Sequence, residues 1–142
     1  MRRRAPNSAP LEAEEQAAFF QWWEVYSAVN RLPTQLCFAV PNGGHRHKAV
    51  AGQLKAQGVR AGVPDVFLDV PAGGFHGLRL EFKRKGRKVE RGGPQEAFID
   101  AARLRGYNVL VVWSADEAMK AVSAYLSFAD RQEDRVPMRQ RV

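Results

Sequence analysis

Two strand-like segments joined by a Gly-rich turn limit strongly how this chain can fold. Residues 65–70 and 76–83 are rich in strand-forming side chains, and the turn-forming residues 71–74 lie between them. This order predicts a β-hairpin. Because side chains alternate along a strand, the apolar residues of the second segment face one side, and Glu81 and Lys83 share the other.

The hairpin carries two acids and a lysine in a pattern that favours cleavage of phosphodiester bonds. Asp65 follows Gly62-Val63-Pro64, and Glu81 is separated from Lys83 by Phe82. Mg2+ takes oxygen ligands, usually one or two carboxylates plus phosphate and water. A nearby ammonium can orient the attacking water or stabilise the transition state. The alternative is that Glu81 and Lys83 form an exposed ion pair worth roughly 0–1 kcal/mol.

The charge balance indicates a nucleic-acid partner. The chain has 142 residues, the length of one domain, with 22 Lys and Arg against 15 acids and a formal net charge of +7. Two basic clusters flank the acids along the sequence. The residues that we predict to contact DNA are His45, Arg46, His47, Lys48, Lys55, Arg60, Arg84, Lys85, Arg87 and Lys88.

The sequence contains no apolar run of the ~20 residues that a membrane span needs and no leader-like apolar segment. We therefore expect a cytoplasmic protein without membrane contact. The single cysteine, Cys37, lies in a predicted strand, where a buried free thiol is expected.

A first helix is predicted over residues 11–29. Its expected inward face is formed by Leu11, Ala18, Phe19, Trp22, Val25, Tyr26 and Val29, which leaves Phe20 and Trp23 outside that face. Glu15 falls in the middle of the face, so it either needs a buried partner or lies in the solvated first turn, where the helix dipole favours acids. Glu14 beside it leaves the register of this acid open by one residue.

The rest of the chain alternates between strands and helices. We predict a strand at 35–40, a basic helix at 47–57, a basic loop at 85–93, a helix from Pro94 to about Arg105, a central buried strand at 107–113 and a helix from Ala115 to about Phe128. Gln95 shares the inward face of its helix and needs a hydrogen-bond partner there or in the local backbone. The order predicts one α/β domain, residues 11–128, around a mixed, mostly four-stranded sheet, with flexible segments 1–10 and 129–142.

In this order of motifs the chain resembles the PD-(D/E)xK nucleases, and among them the stand-alone VRR-NUC (virus-type replication-repair nuclease) domains of phages and bacteria. The resemblance runs from about Glu12 to Leu126 and rests on Glu15, Gly62-Val63-Pro64-Asp65, Glu81-Phe82-Lys83 and Gln95. It implies a restriction-endonuclease-like fold.

The resemblance also implies a function, a cofactor and roles for individual residues. The activity would be a Mg2+- or Mn2+-dependent DNA endonuclease, structure-selective for branched or junction DNA, in replication, recombination or repair. Asp65, Glu81 and the backbone carbonyl of Phe82 would bind the metal. Lys83 would position or activate the attacking water, Glu15 would act in catalysis by reaching the site directly or through a water, and Gln95 would support it from the following helix. The protein would be a homodimer.

Three other interpretations compete with a nuclease. A zinc site could be built from His45, His47, His76 and Cys37, although the usual ligand spacing is missing. A non-catalytic DNA-binding module could retain the fold and the basic loops. A protein-interaction domain could use Trp22, Trp23 and Phe20, because Phe20 and Trp23 fall outside the main apolar face as an exposed aromatic pair.

Overall fold

A computed structural model of the chain describes residues 11–41 and 48–128. The elements are α1 (Glu12–Val29), a short 3-10 helix (Thr34–Leu36), β1 (Cys37–Ala39), α2 (Lys48–Ala56), β2 (Val66–Leu68), β3 (Leu78–Phe82), α3 (Pro94–Leu104), β4 (Asn108–Val112) and α4 (Ala115–Leu126). The predicted order is confirmed, except that residues 35–36 of the expected strand at 35–40 belong to the 3-10 turn. Segments 1–10, 42–47 and 129–142 lie outside the described residues, as do the expectations made for them.

The strands form one mixed sheet in the order β1-β2-β3-β4. β2 and β3 pair antiparallel with Val66 opposite Leu80, so the predicted hairpin is confirmed. β4 pairs parallel with β3, with Leu80 opposite Leu110, and α3 forms the crossover between them. The mixed four-stranded α/β architecture therefore matches the sequence prediction.

The strand at 107–113 is not central, and this expectation was wrong. β4 forms one edge of the sheet within the residues that the structure covers. Its apolar character has another cause, because both faces of the strand are covered by helices. On one face of the strand, Val112 belongs to the core shared with α4. On the opposite face, Val109 is buried, and α3 contacts the strand. Burial on both faces produces a continuous apolar run even in an edge strand.

The buried face of α1 also differs from the prediction. Phe19, Trp23 and Ser27 are the buried residues of this helix, whereas Val25 and Val29 are 65% and 74% exposed. The Trp23 indole N–H donates to the carbonyl of Thr34 at 2.9 Å, which ties the helix to the 3-10 turn. The proposal that Phe20 and Trp23 form an exposed aromatic pair is therefore wrong, because Trp23 is fully buried and Phe20 packs against the core.

Apolar and aromatic residues occur nearly all around α1, so periodicity alone does not select its inward face. The helix contacts α4, β3 and the 3-10 turn, and these contacts decide which side is buried. Phe19 meets Phe82 of β3 with ring centroids 6.1 Å apart. None of the described helices is long and apolar enough to cross a lipid bilayer.

The two faces of α1 can be distinguished by mutation. Trp23→Ala is expected to lower the free energy of unfolding by about 3–5 kcal/mol, since it empties a large buried site. Val25→Ala, on the exposed side of the same helix, is expected to change it by less than about 0.5 kcal/mol. Urea unfolding followed by far-UV circular dichroism measures both, and equal effects would contradict the observed orientation.

Candidate active site

The end of β3 and the residue before β2 bring the two expected metal ligands together. Asp65 directly precedes β2, and its Oδ2 accepts the backbone N–H of Phe82 at 2.8 Å. Its own carbonyl accepts the N–H of Val40 at 2.8 Å, which continues the pairing with β1. The backbone and the side chain of Asp65 are thus both fixed by neighbouring strands.

Glu81 is buried on the face of β3 opposite to Leu80 and Phe82, and α3 holds its side chain there. Its side chain is 4% exposed, and Oε1 accepts a hydrogen bond from Gln95 Nε2 at 2.6 Å. The Lys83 ammonium lies 3.8 Å from the same oxygen, with its side chain 16% exposed. The alternative of a solvent-exposed Glu81–Lys83 pair is therefore wrong. Gln95 lies on α3 as expected and uses its amide on the site rather than on local backbone.

The electrostatics of the pair disfavour two full negative charges. The pKa of Glu81 is raised to about 7, mainly by burial and next by the charge of the neighbouring Asp65, while Lys83 opposes the shift. Burial also raises the pKa of Asp65, against the effect of the Phe82 N–H. A carboxylate pair with raised pKa values is a site in which a bound cation would be stabilised by both acids.

The acid of α1 that acts on this pair is Glu12, which the sequence analysis did not select. The charge of Glu12 contributes to the raised pKa values of both Asp65 and Glu81. Its Oε1 also accepts the backbone N–H of Arg84 at 2.9 Å, just beyond Lys83. In the sequence, Glu12 lies at the margin of the predicted inward face of the helix. A side chain at that position reaches a surface cleft rather than the core.

Glu15 has a partner in another part of the fold. Its Oε2 accepts the N–H of Ala115, the first residue of α4. The N-terminal N–H groups of a helix lack intrahelical acceptors, and a carboxylate there also interacts favourably with the helix dipole. Of the two interpretations left open for Glu15, the need for a partner is the one that the structure fulfils. Glu14 bonds the N–H of Leu11 at the start of its own helix.

A cleft of about 990 Å³ lies beside the acid pair and is bordered by the partners of Glu81. Among its lining residues are Glu12, Lys83, Gln95 and three basic residues of the loop after β3, Arg84, Arg87 and Lys88.

Four of the predicted DNA contacts lie elsewhere on the described surface. Lys48 and Lys55 are exposed on α2, Lys85 is exposed on the loop outside the cleft lining, and Arg60 lines a second cleft of about 540 Å³. His45, Arg46 and His47 fall within the segment 42–47.

Comparison with solved structures identifies the architecture. A protein described as a VRR_NUC domain protein superposes with a TM-score of 0.69 over 87% of this chain and 93% of its own, at 24% sequence identity. The chain has the VRR-NUC fold. No family model matches the sequence, and no curated protein is similar to it.

The donor set in this VRR-NUC fold suits a hard divalent cation. Asp65 Oδ2 and Glu81 Oε1 accept the hydrogen bonds described above, and the backbone N–H of Asp65 also interacts with the Glu81 carboxylate. Each ionised carboxylate has about four lone-pair sites, so both acids can still bind a cation. In the described part of the chain no three His, Cys, Asp or Glu side chains converge as a closed metal site. Mg2+ commonly uses only one or two protein carboxylates and completes its shell with water and substrate phosphate. The residues present therefore fit such an ion.

The ligands proposed for a zinc site fit less well where the structure describes them. Cys37 is buried in the core, and burial raises the pKa of its thiol to about 12. His76 lies against Gly106 and the ring of Tyr107. Zinc binds the thiolate, so a thiol with a raised pKa is a poor ligand.

Gly62 allows the helix that carries Gln95 to approach the segment that carries Asp65. Its φ is +84°, and a Cβ at this position would overlap the carbonyl of Pro94 at the start of α3. The glycine of the Gly62-Val63-Pro64-Asp65 motif therefore sets the distance between Asp65 and Gln95. A larger residue would push the first turn of α3 away from β3.

Gly62→Ala is expected to displace Gln95 and to destabilise the protein by more than Gly58→Ala. Gly58 is the matched control, because its φ of +96° imposes similar backbone strain while no heavy atom lies within 4 Å of an added Cβ. Strain alone costs roughly 1–2 kcal/mol. Thermal unfolding of both variants measures the difference, and equal losses would contradict the role of Gly62 as a spacer.

The pKa of Glu81 predicts how stability depends on pH without metal. A carboxyl whose folded-state pKa is raised contributes stability below its unfolded value, and this contribution is lost as pH rises through the folded value. In EDTA, the wild type should therefore lose up to about 3 kcal/mol relative to Glu81→Gln between pH 4.5 and about 7.

The measurement is urea unfolding at several pH values, with Glu24→Gln, an exposed residue of α1, as the control. The control should follow the wild type. A wild-type profile parallel to that of Glu81→Gln would show that Glu81 keeps an ordinary pKa.

Proposed function

We propose that this protein is a member of the VRR-NUC group of PD-(D/E)xK nucleases and hydrolyses DNA phosphodiester bonds with Mg2+ or Mn2+. The observation that carries the proposal is the buried Glu81, placed beside Asp65, bonded to Gln95 and 3.8 Å from the Lys83 ammonium. Lys83 and Gln95, the two partners of Glu81, line a cleft with a basic wall. The shared fold with a VRR_NUC domain protein supports the same conclusion.

Asp65 and Glu81 would hold the metal, with the carbonyl of Phe82 as a third ligand. The N–H of Phe82 bonds Asp65, and in a strand the N–H and C=O of one residue point to the same side, so this carbonyl faces Asp65. When bound, the ion would stabilise charge on the phosphate and acidify water. The hydrogen bond from Gln95 fixes the rotamer of Glu81.

Lys83 would orient the attacking water or stabilise the charge that develops on the phosphate. Its ammonium is anchored by Glu81 and largely shielded from solvent, so its position is set before DNA binds. A donor that is already in place costs no reorganisation during the reaction.

Glu12 and Glu15 would have separate tasks. Glu12 is the α1 acid whose charge acts on Asp65 and Glu81, which suits direct or water-mediated contact with the metal. Glu15, which the sequence analysis assigned to catalysis, would instead support the site indirectly by fixing the start of α4.

DNA is the proposed partner, and branched or junction DNA is the proposed substrate. The cleft offers cationic groups for backbone phosphates, and a nuclease of this kind would select DNA by shape. A homodimer would act in the cytoplasm of a bacterium, encoded by the host or by a phage, in replication, recombination or repair.

A non-catalytic DNA-binding module is the second candidate. The basic cleft favours it as much as a nuclease, and the two differ only in what the acids and Lys83 do. Cleavage assays therefore separate them.

The decisive experiment is cleavage of labelled single strands, duplexes, flaps and four-way junctions with Mg2+, Mn2+ or EDTA. The wild type should cut at least one substrate with metal and none with EDTA. Asp65→Ala and Lys83→Ala should lose at least about 100-fold in rate, since each removes a group that acts in the transition state.

The pair Glu12→Gln and Glu15→Gln tests the assignment of the α1 acids. Glu12→Gln should lower cleavage with little change in melting temperature. Glu15→Gln should lower the melting temperature, because it weakens a charged cap worth about 1 kcal/mol.

If the wild type binds DNA but does not cut it with any metal, the non-catalytic module would be favoured.

A further inference from the structure

The basic wall of the cleft contains a tight turn that brings two arginines together. The N–H of Arg87 donates to the carbonyl of Arg84 at 2.9 Å, and Gly86 has a φ of +85°. This is the pattern of a type II β-turn, which needs a positive φ at its third residue. Arg84 and Arg87 are its first and last residues, and Lys88 follows, so three cations line the cleft within five residues.

The turn is anchored by hydrogen bonds rather than by burial. Residues 84–88 are all exposed, so they contribute little to the core. One anchor is Glu12, whose Oε1 accepts the N–H of Arg84. The second is Trp113, whose indole N–H donates to the carbonyl of Arg87 at 2.7 Å.

Trp113 is itself fixed at the junction between β4 and α4. Its backbone N–H donates to Glu117 Oε2 at 2.9 Å, and Ser114 caps α4 by accepting the N–H of Glu117. The side chain is 37% exposed, so core packing is not its main role. The indole is partly open to water and bonds a loop 26 residues away. It therefore holds that loop against the junction between β4 and α4.

We infer that Trp113 is a positioning residue that holds the Arg84–Lys88 turn as a phosphate-binding clamp beside the acids. The inference rests on the proposed DNA partner but not on cleavage. It assigns the main phosphate contacts to this turn rather than to α2, whose Lys48 and Lys55 lie outside the cleft. Trp113 itself needs no contact with DNA.

The test is DNA affinity in EDTA, measured by fluorescence anisotropy with a labelled duplex and a four-way junction at several salt concentrations. Trp113→Phe keeps an aromatic ring and removes the indole N–H. Its Kd should rise between about 2-fold and about 10-fold, the effect of losing one hydrogen bond. Its salt dependence should flatten by about one phosphate contact, as it should for Arg87→Ala.

A double-mutant cycle separates positioning from a general loss of stability. If Trp113 acts by placing Arg87, adding Trp113→Phe to Arg87→Ala should weaken binding less than it does in the wild type. Trp22→Phe is the matched control, since this tryptophan stacks on Tyr26 in α1 at 4.3 Å, and it should leave affinity and salt slope unchanged.

Gly86→Ala provides a second route to the same turn without touching Trp113. An added Cβ would meet no heavy atom within 4 Å, so only the backbone of the turn is strained. It should weaken binding like Trp113→Phe, and it carries the test if that variant fails to fold. Three results would overturn the inference: additive effects in the cycle, unchanged DNA affinity of the folded turn variants, or a wild type that binds no DNA. A wild type that binds but never cuts would refute the nuclease while leaving the clamp intact.

Discussion

The burial of the Glu81 carboxylate is the constraint on which the rest of the site depends. All five residues of β3 are buried, so this acid occupies a place where packing alone would favour an apolar side chain. Isolated burial of its charge would be costly, and the fold offsets part of that cost with the amide of Gln95 and the ammonium of Lys83. The remaining cost appears as a raised pKa. The burial of Glu81 therefore lowers the stability of the fold and leaves two acids whose mutual repulsion a bound cation would relieve.

The parts of the site that the sequence predicts well are those fixed by local structure. The hairpin follows from alternation and turn residues, and it places Asp65, Glu81 and Lys83 near one another whatever surrounds them. Gln95 follows from the inward face of a helix whose start Pro94 marks. The start of α4 is equally local, since the Ser114 hydroxyl accepts the N–H of Glu117 three residues later.

The parts that sequence reasoning missed depend on contacts between distant segments. The inward face of α1 is chosen by α4 and the 3-10 turn, because its aromatic residues point in nearly every direction and give no clear period. For Glu15 the sequence left open a need for a partner or a place in the solvated first turn, and its partner lies 100 residues away at Ala115. Glu12 faces the cleft only because the loop after β3 turns back towards α1. β4 was placed centrally because burial by helices on both faces gives the same apolar run as a central strand.

The acid pair and the basic wall of the cleft lie in different parts of this fold. Glu81 is buried in β3, and the half-buried Asp65 and Lys83 lie at the ends of β2 and β3. The cations of the cleft wall instead belong to an exposed loop held by Glu12 and Trp113. Substitutions in that loop would leave the core and the acid pair untouched, since its side chains contribute little buried area. The shape of the cleft wall can therefore change without loss of the fold. If the proposed function holds, selectivity for one form of DNA would follow from how α1 and the β4–α4 junction hold the loop rather than from the β2–β3 hairpin.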